Sequence, residues 1–135
     1  MAIFTRVIIG LIATIHFYIL WFEMFAWTSR GPEIFKSLPK EIFEPTSAIA
    51  ANQGLYNGFL AIGLVWTYFI TDRIWKKKIS IFFLGCITLA GIYGTFTIET
   101  KILFIQTIPA IIAITFVLLS DKNVSPSDTE NGSTS

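Results

Sequence analysis

The charged residues of this chain are confined to a few short runs, and between those runs lie four apolar blocks of membrane-crossing length. The blocks cover about residues 7–28, 46–71, 79–98 and 102–119. Each is near the roughly 20 residues that cross about 30 Å of hydrocarbon in α-helical form. This arrangement predicts an all-α polytopic membrane protein, with four transmembrane helices in an up-down bundle forming one domain over residues 1–119. Residues 120–135 are mostly Ser, Thr, Asn, Asp and Gly, which predicts a disordered cytoplasmic tail. Composition excludes the soluble alternative. The chain is 53% hydrophobic and 14% charged, whereas soluble domains are usually about 25% charged. A soluble fold of this size buries only about two thirds of its surface and would have nowhere to hide so many Ile, Phe and Leu.

The first block contains His16 and Glu23 and lacks a small-x-small cleavage site, so it is expected to be a retained helix rather than a signal peptide. Cys86 is the sole cysteine, which excludes an intrachain disulfide and reads as a small apolar residue at a helix interface. Arg6, Arg73, Lys76, Lys77, Lys78 and Lys122 fall on one side of the blocks, and Arg30, Lys36, Lys40 and Lys101 on the other, interspersed with Glu33, Glu41, Glu44 and Glu99. The positive-inside rule then puts both termini in the cytoplasm, with the plasma membrane as the expected location. The run Trp75-Lys-Lys-Lys78 reads first as a topology anchor and second as a contact for anionic lipid.

Polar residues inside the blocks are the informative exceptions, because an unpaired amide or carboxyl group in hydrocarbon is costly. His16 is expected near mid-membrane and Glu23 in the outer third; on the returning helix, Asn52 and Gln53 fall in the outer third and Asn57 near the middle. Thr95, Thr97 and Gln106 also fall toward the outer side. Seven residues separate His16 from Glu23, which returns to within about 20° of the same helix face. Asn52, Gln53, Tyr56 and Asn57 cover an arc of about 140°. In an antiparallel pair, depth-matched residues have a nearly constant index sum, about 75 for the first pair at 1.5 Å per residue. Glu23 is therefore expected to meet Asn52 or Gln53, and His16 to come level with Asn57. A sum near 200 for the last pair, on the same estimate, brings Gln106 level with Gly94 and Thr95. Gly54 with Gly58, and Ala90 with Gly94 and Gly91, supply small-residue notches for close helix packing, and Pro109 is expected to kink the fourth helix.

A carboxyl group at Glu23 must be neutral or paired in such a setting. One reading is a structural hydrogen bond that fixes register. The other is a proton or cation site, or an anchor for a ligand entering from outside. The residues alone leave both open. His16 reads more simply as an interhelical donor. The candidate ligand or proton site comprises Glu23, His16, Asn52, Gln53, Tyr56, Asn57 and Gln106. No Glu-x-x-His carboxylate bundle, His-Glu-x-x-His, Ser-His-Asp set, phosphate-binding glycine loop or haem-type His pair can be assembled. No catalytic residue, metal or cofactor is therefore expected, and no nucleic-acid partner. The bilayer is the expected surrounding, with a homodimer or another membrane protein as the partner, since four helices enclose little volume. In the connection 29–45, Ile34, Phe35, Leu38, Ile42 and Phe43 stand among charges, which suggests short amphipathic pieces on the membrane surface, or a lid over the polar site as a second reading.

Glu23-Met-Phe-Ala-Trp27 with Arg30-Gly31, the run Ala50-Ala-Asn-Gln-Gly-Leu-Tyr-Asn-Gly58, Phe83-Leu-Gly-Cys86 with Ala90-Gly-Ile-Tyr-Gly94, and Gln106 with Pro109-Ala110 together resemble an uncharacterised integral-membrane family, domain of unknown function 1304. The resemblance extends over nearly all of the chain up to Leu119. It implies a small multi-pass membrane protein without an assigned activity. The chain departs from the family pattern at Ile15, where an acidic residue often precedes the His, and at Ser29, where Pro is common; the first departure argues against a two-carboxylate mechanism. Two functions from different classes follow: a small binding or transport protein that uses Glu23 and the amides, or a structural or accessory subunit whose polar cluster only fixes helix packing.

Overall fold

The computed structural model describes residues 2–120, so the tail from 121 onward lies outside the described residues. Every regular element among those residues is helical. Three helices are long and apolar enough to cross a membrane: α1 (Ile3–Ile34), α2 (Ser47–Trp66) and α3 (Arg73–Thr97). A shorter apolar helix follows, α4 (Leu103–Leu119). One 3-10 turn, Lys40–Ile42, lies between α1 and α2.

Helix ends differ from the limits of the apolar blocks because caps and turns, rather than hydropathy alone, set where a helix begins and stops. Helix α3 starts at Arg73, ahead of its expected start near residue 79, because the Asp72 carboxylate accepts a hydrogen bond from the Trp75 N–H at 2.7 Å. The basic run Lys76–Lys78 is consequently helical rather than loop. Helix α2 stops at Trp66, where the Thr67 hydroxyl donates to the Leu64 carbonyl at 2.7 Å and a turn follows. Helix α1 continues past residue 28 to Ile34 and carries Pro32 inside its last turns.

Helix α1 packs along α2 and the turn that follows it: Gly10 faces Tyr68 of that turn, Leu20 faces Gly58, and Glu23 faces Gly54. The order of these contacts makes the two helices run in opposite directions. Gly63 of α2 receives the Phe83 ring of α3, and Gly91 of α3 receives Thr107 of α4. The Phe4 and Phe116 rings meet edge to face with centroids 4.9 Å apart, which brings the end of α4 back to the start of α1. Between these contacts lies one apolar core of Ile9, Ile12, Ala13, Leu64, Leu84, Ile87, Ala110, Ala113 and Val117, drawn from all four helices. Spacings of three and four residues on α1 and α4 put these side chains on one face of each helix.

Two turns depart from α-geometry, the π-helical segments Phe22–Ala26 in α1 and Leu103–Thr107 in α4. The second precedes Pro109. Proline offers no N–H and its ring crowds the carbonyl four residues back, so a widened turn just before it relieves the strain. The α-helix resumes at Ile108 with Pro109 in its first turn.

Candidate functional site

The glycines of α2 create the site by letting α1 approach. A Cβ at Gly54 would lie 3.0 Å from both the Glu23 Cβ and the Leu20 carbonyl oxygen, and one at Gly58 would strike Leu20 Cδ1. At that separation the Asn57 Nδ2 donates to Glu23 Oε2 at 3.0 Å and also to the Gln53 carbonyl at 3.1 Å. The partner of Glu23 is thus Asn57, rather than the expected Asn52 or Gln53. Helical side chains lean toward the N-terminus of their own helix. The Glu23 backbone is level with Gly54, but its carboxylate reaches back toward Leu20 and so toward Asn57. Glu23 also stands in the first π turn, a local geometry that often accompanies functional sites.

The same lean carries His16 away from Asn57 and into the bundle. His16 is 1% exposed. Its Nδ1 lies 2.9 Å from the Ile12 carbonyl; a carbonyl can only accept, so Nδ1 carries the proton. Its Nε2 is buried without a partner. Asn52, Gln53 and Tyr56 are exposed on the surface of α2. Gln106 is half-buried in the second π turn, beside Gly91 rather than level with Gly94 and Thr95; Gly94 instead faces Ile102. The tight connection explains the shift, since Ile98 and Glu99 both close onto the Gly94 carbonyl and Ile102 already bonds back to Glu99.

Thr107, adjacent to Gln106, was not singled out by its sequence context. Thr14, Ser80, Thr88, Thr95, Thr97, Thr115 and Ser120 all donate to the carbonyl four residues back. Thr107 ends a π turn in which the Ile108 N–H takes the Leu103 carbonyl, and its buried Oγ1 has no partner. His16 continues the core face Ile9, Ile12, Ala13, and Thr107 continues the core face Val117, Ala113, Ala110. These two unpartnered groups therefore close the same apolar core, on the side that leads to Glu23.

An aromatic strap ties the outer turns of α1 to the connection before α2. Phe43 is 1% exposed and lies 5.1 Å, centroid to centroid, from Trp27. Phe35 contacts both Trp27 and Phe22, at 5.8 Å and 6.1 Å. Trp27 Nε1 donates to Thr46 Oγ1 at 3.0 Å, and Gly31 leaves room for the Phe43 ring, which a Cβ there would approach to 2.5 Å. Part of the connection between α1 and α2 is thus a small packed core, whereas Ile34 and Ile42 stay exposed as surface pieces. Three aromatics beside a Gly, in a segment of mixed charge, were the available signal. Among the described residues no group of three His, Cys, Asp or Glu side chains gathers in a way that could hold a metal ion.

Comparison with known proteins gives a family without an activity. The model of the family described as "Protein of unknown function (DUF1304)" matches residues 10–118. A protein of Lactococcus lactis subsp. lactis (strain IL1403), named uncharacterized protein YpaA, is 33% identical over 116 residues, covering 84% of this chain and 96% of that protein. No solved structure matches. The chain belongs to the DUF1304 family.

Proposed function

We propose that the protein crosses the plasma membrane four times as an up-and-down bundle, with both termini cytoplasmic, and binds a small molecule or ion at Glu23 and Asn57. The reversed contact order of α1 and α2, and the return of α4 to the start of α1, support the bundle. The Lys and Arg distribution supports the orientation. One observation carries the binding function. The Glu23 carboxylate has a single side-chain partner, the neutral amide of Asn57, and no Lys or Arg pairs with it among the described residues. A half-buried carboxylate with spare acceptor capacity suits a cation or an amine donor.

The test is a thermal-shift screen of the purified full chain against alkali and divalent cations and a panel of cationic amphiphiles, combined with native mass spectrometry of co-purifying molecules. The wild type should be stabilised by at least one member, and Glu23→Gln should lose that shift while melting within a few degrees of the wild type when no ligand is present. A Glu23→Gln protein that keeps every shift would end the proposal.

A second reading draws on the exposed amides. Asn52, Gln53 and Tyr56 lie along one exposed side of α2, where a polar face suits contact with a second copy or with another membrane protein. In that case the chain is a structural or accessory subunit. An Asn52→Cys substitution made together with Cys86→Ala should then crosslink in membranes, and absence of any crosslinked species counts against it.

A further inference from the structure

At the end of the bundle away from Glu23, a shallow surface groove is lined by Arg6, Ile9, Thr67, Tyr68 and Lys76. Three segments supply it: the first turns of α1, the turn after α2 and the first turns of α3. Its cationic wall is held in place. The Arg6 guanidinium stacks on the Tyr68 ring, 5.2 Å from the centroid, and the Tyr68 hydroxyl donates to the Arg6 carbonyl. Gly10 makes room for that hydroxyl, since a Cβ there would come within 2.8 Å of it. A glycine admits a tyrosine, and the tyrosine positions an arginine.

Nothing among the described residues neutralises the two cations of this groove. Among the described residues, neither Arg6 nor Lys76 has a carboxylate within ion-pair distance; the Glu99–Lys101 pair belongs to the opposite end. Asp72 is the nearest acid in the sequence, and its carboxylate is engaged in capping α3. Two like charges converging on one groove are stabilised when an anion joins them. The surroundings select the kind of anion. Phe4, Trp66, Phe69, Ile74 and Trp75 are each more than half exposed near the same helix ends. Exposed tryptophans and apolar side chains beside cations are the pattern of a bilayer's headgroup level, where a ligand offers phosphate and acyl chains together.

We propose that this groove binds the phosphate of an anionic membrane lipid, with Arg6 and Lys76 as its ligands and Tyr68 as the residue that positions Arg6. The site is separate from Glu23 and is independent of the function proposed for it.

The test is lipid exchange on the full-length protein, read by native mass spectrometry, with phosphatidylglycerol and phosphatidylcholine in competition. The wild type should retain phosphatidylglycerol preferentially. The double substitution Arg6→Gln with Lys76→Gln should lower that preference about tenfold or more. Tyr68→Phe keeps the ring and loses the tether, so it should lower the preference about two- to threefold. Lys101→Gln, at the opposite end, should leave it unchanged. If the double variant does not fold, Arg6→Lys keeps the charge without the planar stack and should fall between the wild type and Tyr68→Phe. Equal retention of the two lipids by the wild type overturns the proposal. So does an equal loss in Lys101→Gln, or displacement of the lipid by millimolar inorganic phosphate, which would mark a site for a soluble anion.

Discussion

The two halves of this bundle are built from similar helices yet solve different problems. Below His16 and Thr107 the interior is mainly apolar, the buried Thr67 and Ser80 hydroxyls donate to backbone carbonyls, the helices keep α-geometry, and Leu64, Leu84, Ile87, Ala110 and Ala113 are fully buried. At that boundary stand the two unpartnered polar atoms, and beyond it lie both π turns, the Glu23–Asn57 pair and the aromatic strap. The regular half has the features that hold a fold together. The irregular half departs from regularity where polar groups stand, which is where a protein concedes stability to something else. If this division is right, substitutions of comparable size should differ in effect according to the half they fall in.

Leu84→Ala should produce the largest loss. Leu84 is 0% exposed within the common core, and truncating a buried Leu costs about 2–5 kcal/mol. Chemical denaturation in detergent micelles should show it, and a loss below about 1 kcal/mol would mean that the core can collapse around the cavity. Gly54→Val should come next, at about 1–3 kcal/mol of overpacking. Its Cβ would meet the Leu20 carbonyl oxygen at 3.0 Å, and backbone cannot rotate aside as a side chain can. Helix α1 should be pushed from α2, so a crosslinking distance between the two helices should lengthen along with the fall in stability.

Trp27→Phe should weaken the strap by about 0.5–1.5 kcal/mol, the typical net worth of one hydrogen bond, here that from Nε1 to Thr46. The more telling readout is protease access to residues 35–46. Faster cleavage with an unchanged global melting point would show the strap to be a layer separate from the main core. A fall in the global melting point in step with faster cleavage would merge it with the main core.

Much of this division can be read in the sequence, and the part that cannot has physical causes. Block length and charge placement give the helical class, and Gly54, Gly58 and Gly91 stand at close helix contacts because a missing Cβ is legible wherever backbones must approach. Partner identity is harder. Depth counted from Cα positions pairs Glu23 with Asn52 or Gln53, whereas the carboxylate leans back to Asn57, about one turn further along α2. Periodicity places Asn52 and Tyr56 on the polar arc without telling which part of that arc faces a neighbour, and both turn out exposed. Neither π turn has a residue signature of its own. Pro109 hints at the second, and nothing near Phe22–Ala26 announces the first. Thr107 is invisible for the same reason, because its missing bond follows from the turn geometry and not from its neighbours in the chain.

Glu23→Gln should have the smallest effect on stability and thereby sharpen the comparison most. The glutamine oxygen can still accept from Asn57 Nδ2, so the interhelical bond survives the loss of the carboxyl group. Such bonds between membrane helices contribute about 0.6 kcal/mol on average, well below the loss expected at Leu84. The bond is therefore too weak to be what chiefly holds α1 to α2, a role better matched by the glycine contacts. A double-mutant cycle of Glu23→Gln and Asn57→Leu, followed by denaturation, separates the alternatives. Near-wild-type stability for Glu23→Gln, with a coupling below about 1 kcal/mol, leaves the carboxyl group dispensable for folding and its presence in the helix in need of another explanation. A loss on the scale of Leu84→Ala would instead make Glu23 part of the structural frame, and the two halves of the bundle would no longer differ in kind.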